Sequence, residues 1–424
     1  MRTSIRTLLA TVTILAHAGV THAAAPIVDL HAHLFFYEGT GVSFFGSFSS
    51  PVLTDSSSSR LGAKANAQAL ENSGARIIIV ALYAHPLFWS TCRDSIRKQI
   101  DAAEAFVTAH PDWAIARSAE EAARLVHAGK RILILSIEGA SCVLETEEDL
   151  NEFIDRRGVR IVTPVHFTDD TIGGASFMPG IEILTNPIAA LESLIAPHFD
   201  QFGARVHSYG LGKKGQWLVE SLLKRGIWID LAHTSDGTYS ALTPWLERAK
   251  QPFLYTHTIL RRYYRAERGV TPERLEKVRD TGGIVGLLPS EDMLAETKAD
   301  PVYCPTVCTG SCDQGIPIFL TQYSEMAGIV GDAQSVMIGS DINAPLNFLG
   351  AACSAQEKQG YHGLSQYGQL AELWQAMRNF DLVPRDPNAW TERFLAVWSK
   401  VKPLQAPAQI SPTAPSTKSR PGSG

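Results

Sequence analysis

Short, continuous apolar runs recur along this 424-residue chain at Ile27 to Leu30, Ala75 to Tyr83, Arg131 to Ile137, Val159 to Val165, Ile227 to Leu231, Phe253 to Tyr255, Gly283 to Leu288 and Val336 to Ile338. They are rich in Ile, Val and Leu and do not alternate with polar residues, the pattern of strands buried on both faces of a parallel sheet. Amphipathic stretches of helical period separate most of them: Ser118 to Ala128, Glu148 to Arg157, Gly215 to Arg225, Pro272 to Thr281 and Phe319 to Gly328. Gly226 and Gly282 stand where two of these helices must stop before the next strand. Eight strands with helices between them predict an α/β fold of the closed (β/α)8 TIM-barrel type, not an open sheet. Leu370, Leu373, Trp374, Met377, Phe394 and Trp398, at helical spacing within Gly363 to Val401, predict helices that pack on the barrel from outside. Their aromatic rings read as core, not as cofactor ligands.

The two ends have a different character. Residues 1–24 carry two arginines, an apolar stretch from Leu8 to Val20 and small residues up to Ala24, which reads as an export signal cut after Ala23 or Ala24. The alternative, an anchoring helix, is disfavoured because the stretch falls short of the ~20 apolar residues a span needs and is interrupted by His17. No later segment is apolar enough to span a bilayer, so a periplasmic or secreted protein is expected, with no transmembrane segment after signal removal. Residues 26–402 form the expected barrel domain, and 403–424, rich in Pro, Ser, Thr, Ala and Gly, a disordered tail. Ser47 to Ser59 reads as a loop over one face.

Composition narrows the partners. A net charge of -5 from 38 basic and 43 acidic residues, without a basic run, gives no footing for nucleic acid. The cysteines Cys92, Cys142, Cys304, Cys308, Cys312 and Cys353 suit an oxidising compartment and predict disulfides whose pairing spacing cannot choose. Cys304, Cys308 and Cys312 lack the spacing and the nearby His of a structural zinc site, so a disulfide-stapled loop is the better reading.

The candidate chemistry falls at one end of the strands. His31 and His33 follow the first run, Glu138 the third, His233 the fifth, His257 the sixth and Asp341 the eighth. In such barrels the carboxyl ends of the strands carry the active site. Residues i and i+2 of a strand share a face, so His31 and His33 can point into one site. All six offer nitrogen or oxygen donors to zinc or a similar divalent ion, and a carboxylate such as Glu138 can bridge two. Any one of these residues alone would read as an ordinary hydrogen-bonding or core side chain. Together, at the same end of successive strands, they predict a metal site.

Ile137-Glu-Gly139, Gly210-Leu-Gly-Lys-Lys-Gly-Gln-Trp-Leu-Val219, Asp230-Leu-Ala-His-Thr-Ser-Asp-Gly-Thr238, Thr256-His257 and Ile338-Gly-Ser-Asp341 resemble the membrane (renal) dipeptidase family of the amidohydrolase superfamily. The likeness runs in order from about Ile27 to Val401, and the Asp-Leu-Ala-His-Thr-Ser-Asp segment is its most specific part. It implies a (β/α)8 barrel with two zinc ions per chain, or another divalent metal, hydrolysing a dipeptide or other small amide through a hydroxide held between the ions. By position, Glu138 would bridge the metals, His31 and His33 would join it on one, and His233 and His257 would hold the other. Asp341 would carry the proton from the attacking hydroxide to the leaving amine. His166 would polarise the substrate carbonyl, and Arg268 would bind the substrate's free carboxylate, with Arg261, Arg262 and Arg265 as neighbouring alternatives.

One residue departs from the family pattern. The usual His-x-Asp after the first strand is His31-Ala32-His33 here, which raises the site's charge by about one unit and bears on both metal choice and substrate. Phe35 to Ser59 and the Cys304 to Cys312 insertion are expected over the pocket mouth, with His85 as a further pocket candidate. A lactone, an ester or an N-acyl amino acid is therefore the alternative substrate, and a non-catalytic binding protein on the same barrel the alternative class. Nothing in the chain specifies oligomeric state, and a homodimer stays open.

Overall fold

Each apolar run becomes a strand whose residues are almost all buried, in a computed structural model that describes residues 26–36, 65, 67–84, 91–177, 186–290, 293–295, 316–344, 349, 364 and 367–404. The expected export signal, the Ser47 to Ser59 loop, His85, Cys304, Cys308, Cys312, Cys353 and residues 405–424 of the tail lie outside the described residues. The strands are β1 (Ile27–Ala32), β2 (Ala75–Tyr83), β3 (Trp113–Ile115), β4 (Arg131–Glu138), β5 (Ile161–Thr163), β6 (Trp228–Ile229), β7 (Leu254–Thr258), β8 (Ile284–Leu287) and β9 (Val336–Ile338).

All neighbours pair in parallel, in the order β6-β5-β4-β2-β1-β9-β8-β7. The two ends of that path meet where Asp230, just past β6, bridges Leu254 of β7, and Leu231 N–H donates to the Leu254 carbonyl at 2.8 Å. The sheet is therefore a nearly closed eight-stranded barrel, as the periodicity predicts. The ninth strand, β3, was not among the expected runs. It pairs with the first residues of β4 (Trp113 opposite Arg131), while β5 pairs with the last (Thr163 opposite Glu138), so it lies outside the barrel path.

Helix caps follow the local sequence. Ser118 accepts from Glu121 N–H, Thr146 forms a reciprocal box with Asp149, Ser235 accepts from Thr238 N–H and Thr271 from Arg274 N–H. Gly282 closes the helix Pro272–Thr281 with φ +64°, a conformation that costs glycine little. Among the described residues four further helices, Ala67–Asn72, Cys92–Ala109, Pro187–Ile195 and Asp236–Arg248, add to those expected from the periodicity.

The helices Leu370–Asn379 and Ala389–Trp398 bury Leu370, Leu373, Trp374, Met377, Phe394 and Trp398 as expected. The second of them packs at the amino-terminal ends of the strands. The Phe394 and Trp228 rings lie 6.0 Å apart, and Arg393 donates to Ser335 Oγ, next to β9, at 2.8 Å. Of the expected disulfides, Cys92–Cys142 is present among the described residues, joining the segment after β2 to the turn after β4.

Candidate metal centre

At the opposite, carboxyl end of the strands, every ligand-type residue singled out above converges on Glu138. This residue ends β4, in register with Tyr83 at the end of β2 and Thr163 at the end of β5. The Nε2 atoms of His31, His166, His233 and His257 lie 3.3, 3.6, 3.2 and 3.5 Å from its Oε1, and His33 Nε2 lies 3.2 Å from its Oε2. Asp341 Oδ1 completes the ring, 3.2 Å from His33 Nε2 and 3.8 Å from His31 Nε2.

Local backbone geometry aims these groups. β1 extends to Ala32, so His31 lies within the strand and His33 just past it. His233 and Asp341 adopt φ of +61° and +53°, left-handed conformations that cost a non-glycine residue about 1–3 kcal/mol each. Surrounding hydrogen bonds hold both: Ser176 N–H donates to the His233 carbonyl, and Asp341 N–H to the His31 carbonyl, each at 2.8 Å. Gly339 of the Ile-Gly-Ser-Asp motif is needed for close approach, since a Cβ there would meet the Thr256 carbonyl at 2.1 Å.

The electrostatics are those of a cation site. Both Glu138 oxygens are buried without a hydrogen bond, as are His31 Nε2 and Asp341 Oδ1; the imidazoles approach the carboxylate without hydrogen-bond geometry. A buried carboxylate in that condition is costly unless a cation compensates it. Burial pushes the Glu138 carboxyl up, but the imidazoles, led by His166 and His31, outweigh it and hold the group well below the usual range. Burial, reinforced by neighbouring imidazoles and the Arg268 charge, holds His166 and His257 far below the ordinary imidazole value, and burial with the same Arg268 charge lowers His233. His33 behaves differently: burial opposes its charge, but Asp341 and Glu138 raise it to about 10. Burial raises Asp341, and His33 more than reverses that.

The donor atoms fall into three buried or nearly buried groups, each within 4.8 Å: His31, His33 and Glu138; His31, His257 and Asp341; Glu138, His166 and His233. His166 thus lies as close to Glu138 and His233 as a ligand would. Glu138 belongs to two of the groups, consistent with a bridging carboxylate, and the nitrogen-rich set fits zinc or a similar ion.

Arg268 is buried at the same site, with Nη2 3.3 Å from His233 Nε2, Nη1 3.4 Å from Met293 Sδ, and Nε without a hydrogen bond. The neighbouring arginines are placed elsewhere. Arg261 is held by Asp200 and Asp236, Arg262 by Glu325, and Arg265 is exposed. Two features had no role in the sequence reading. The Tyr83 ring walls the site 4.6 Å from the His166 ring. Thr256 Oγ1 stands behind the site, 3.1 Å from His31 Nδ1 and 3.0 Å from His257 Nδ1. The Thr256-His257 pairing was the available signal for the second, but adjacency alone does not reveal a contact to His31, 225 residues away.

Known proteins show the same architecture. Solved structures covering 89% of this chain include the dipeptidase AC, a metallopeptidase of family M19 (TM-score 0.63, 17% identity, 99% of that chain). Another is a metallopeptidase from Rhodobacter sphaeroides bound to a phosphinate mimic of the dipeptide L-Ala-D-Ala (0.64, 16% identity, 100% of that chain). The probable dipeptidase PvdM from Pseudomonas aeruginosa also matches (0.63, 14% identity, 95% of that chain). Among curated sequences, the dipeptidase ataJ of Aspergillus terreus is 23% identical over 211 residues, 46% of this chain and 45% of its own length. The chain thus spans less than half the length of that relative. The model of the membrane dipeptidase family matches residues 15–344, and by that match the chain belongs to the membrane dipeptidase family, peptidase family M19.

Proposed function

We propose that this protein is an exported, metal-dependent hydrolase of a small peptide, most simply a dipeptide with a free carboxyl terminus. The observation that carries the reading is the ring of five imidazoles and Asp341 around a buried Glu138 carboxylate that has no hydrogen bond of its own. Two zinc ions, held by His31, His33, Glu138, His233, His257 and Asp341, are the occupants this donor set favours. Bound there, they supply Lewis acidity toward the scissile carbonyl and an activated water. The family relationship and the likeness to solved dipeptidase structures support the substrate class, and the Cys92–Cys142 disulfide supports an oxidising compartment, periplasmic or extracellular.

The chain's own residues divide the remaining work. Asp341 Oδ1, buried and without a hydrogen bond, is placed to accept the proton of the attacking water and return it to the leaving amine nitrogen. His166, kept neutral by burial, can donate one N–H to the carbonyl oxygen as negative charge builds on it. The Arg268 guanidinium, with donors to spare, fixes the substrate's terminal carboxylate and so the position of the bond to be cut. Tyr83, raised well above its ordinary value by burial and by Glu138, stays protonated and helps exclude water from this wall.

Metal analysis of the purified chain together with a dipeptide panel tests the proposal. Two equivalents of zinc, and cleavage that disappears in Asp341→Asn, are expected. No metal uptake after zinc reconstitution would overturn it.

A further inference from the structure

Thr256 carries one hydroxyl and three close polar neighbours. Its Oγ1 lies 2.6 Å from Asp230 Oδ2, 3.1 Å from His31 Nδ1 and 3.0 Å from His257 Nδ1, all buried. Asp230 is itself surrounded by donors. Its Oδ1 accepts from the backbone N–H groups of Ala232 and Thr256 at 3.0 and 2.9 Å, and its Oδ2 from Thr163 Oγ1 at 2.7 Å.

A hydroxyl has one proton to give and two lone pairs to receive with. The carboxylate can only accept, so the Thr256 proton is committed to Asp230. Both lone pairs of Oγ1 then face ring nitrogens, and each contact is attractive only when that nitrogen carries a hydrogen. We propose that Thr256 is a positioning residue that sets the tautomer of two ligand histidines at once, holding His31 and His257 as Nδ1–H imidazoles so that both Nε2 lone pairs face Glu138.

The strand arrangement explains how one side chain reaches both. Thr256 and His257 are consecutive in β7, and His31 comes from β1, across the barrel interior. The His31 and His257 rings lie with centroids 3.9 Å apart, close enough to share one acceptor. Asp230, which bridges β6 to β7 at the barrel closure, anchors the hydroxyl from the far side. Barrel closure and ligand orientation are thus joined in one hydrogen-bond chain, from Thr163 through Asp230 and Thr256 to the two rings. Partners of this kind fix ring orientation and typically control metal affinity by about 10- to 100-fold.

The purpose of the exposed lone pairs rests on the metal-centre reading above, but the tautomers are a property of the chain and can be read without metal. Long-range nitrogen–proton correlation spectra of the full, metal-free chain with labelled histidine, assigned through single histidine variants, should show Nδ1–H on both His31 and His257. Thr256→Val should lose that preference on both rings and lower zinc affinity about 10- to 100-fold in competition with a chelator; Thr256→Ser should restore both. An Nε2–H tautomer on either ring of the unsubstituted protein would overturn the inference, and that measurement does not depend on a variant folding. So would Thr256→Val with both Nδ1–H signatures intact. Nδ1–H on both rings in a chain that takes up no zinc would uphold the tautomer assignment and sink the metal-centre reading.

Discussion

Replacing Arg268 by methionine keeps an unbranched apolar stem beside Met293 and removes the guanidinium. The side chain is buried, its Nε has no hydrogen bond, and its terminal nitrogens meet an imidazole nitrogen at 3.3 Å and a thioether sulfur at 3.4 Å. A substrate carboxylate would therefore be the strongest acceptor this group meets. At about 3 Å and an effective dielectric of about 20, one such pair is worth about 5–6 kcal/mol before desolvation. Net charge-assisted bonds contribute about 1.5–3 kcal/mol each. After the cost of burying the substrate's charge, about 2–4 kcal/mol should remain, or about 30- to 1,000-fold in kcat/KM. The assay is a cycle of two enzymes and two substrates, a dipeptide and its C-terminal amide. Arg268→Met should lose that factor on the dipeptide and little on the amide, with metal content measured on the same samples because Arg268 adjoins His233. An equal loss on both substrates would refute the carboxylate role.

His33→Asp, which writes the family's usual residue back, should make the protein depend more on metal. Position 33 faces Glu138 and Asp341 at 3.2 Å each, and a third carboxylate there would meet two like charges, each costing up to about 4 kcal/mol near 4 Å at a dielectric of about 20. The metal-free Tm should fall and the rise on adding zinc should exceed that of the unsubstituted chain; equal zinc-induced shifts would contradict this account. Asp29 is raised from 3.8 to about 6 by burial, against hydrogen bonds from Ser340, His31 and Tyr367. The folded state then holds more protons than the unfolded one between about pH 4 and 6, so this group's contribution to stability is present at the acid end and falls as pH rises, by about 3 kcal/mol. In urea unfolding across that window, the stability gap between the native chain and Asp29→Asn should change with pH; a constant gap would show that Asp29 does not titrate there. Cys92→Ser opens a disulfide that closes a 50-residue separation. It should cost up to about 4 kcal/mol in urea unfolding, and added reductant should destabilise the variant less than the unsubstituted chain. An equal effect of reductant on both would place the stabilising bond elsewhere.

The barrel was legible because burial on both faces leaves a mark that single residues carry: Ile77 to Leu82 and Ile132 to Leu135 contain no polar position, and all are fully buried. Gly226 and Gly282 marked helix ends for an equally local reason, the positive φ each adopts. β3 was not legible, because a three-residue Trp-Ala-Ile segment has no periodicity, and what holds it is pairing with β4 and the stacking of Arg131 on Trp113. The helix Cys92–Ala109 buries Ile96, Ile100, Ala103 and Phe106 at helical spacing, but so many charged residues lie between them that the stripe is faint in the sequence.

For the site, the residue types and their place after successive strands were enough to select His31, His33, Glu138, His233, His257 and Asp341, because strand ends in a barrel share one rim; His166 and Arg268 came only from the family resemblance. Sequence order could not decide among Arg261, Arg262, Arg265 and Arg268, which differ by a few positions; burial and ion pairing to Asp200, Asp236 and Glu325 separate them. Nor could it reveal that His166 sits as near Glu138 and His233 as a ligand, or that one threonine hydroxyl faces two rings from strands β1 and β7. Burial pattern, caps and residue chemistry are properties of neighbours along the chain and were determined by the sequence alone. Which donors share a hydrogen bond, which charge stays uncompensated and which arginine turns inward depend on distances between segments hundreds of residues apart, and closure of the barrel decides them.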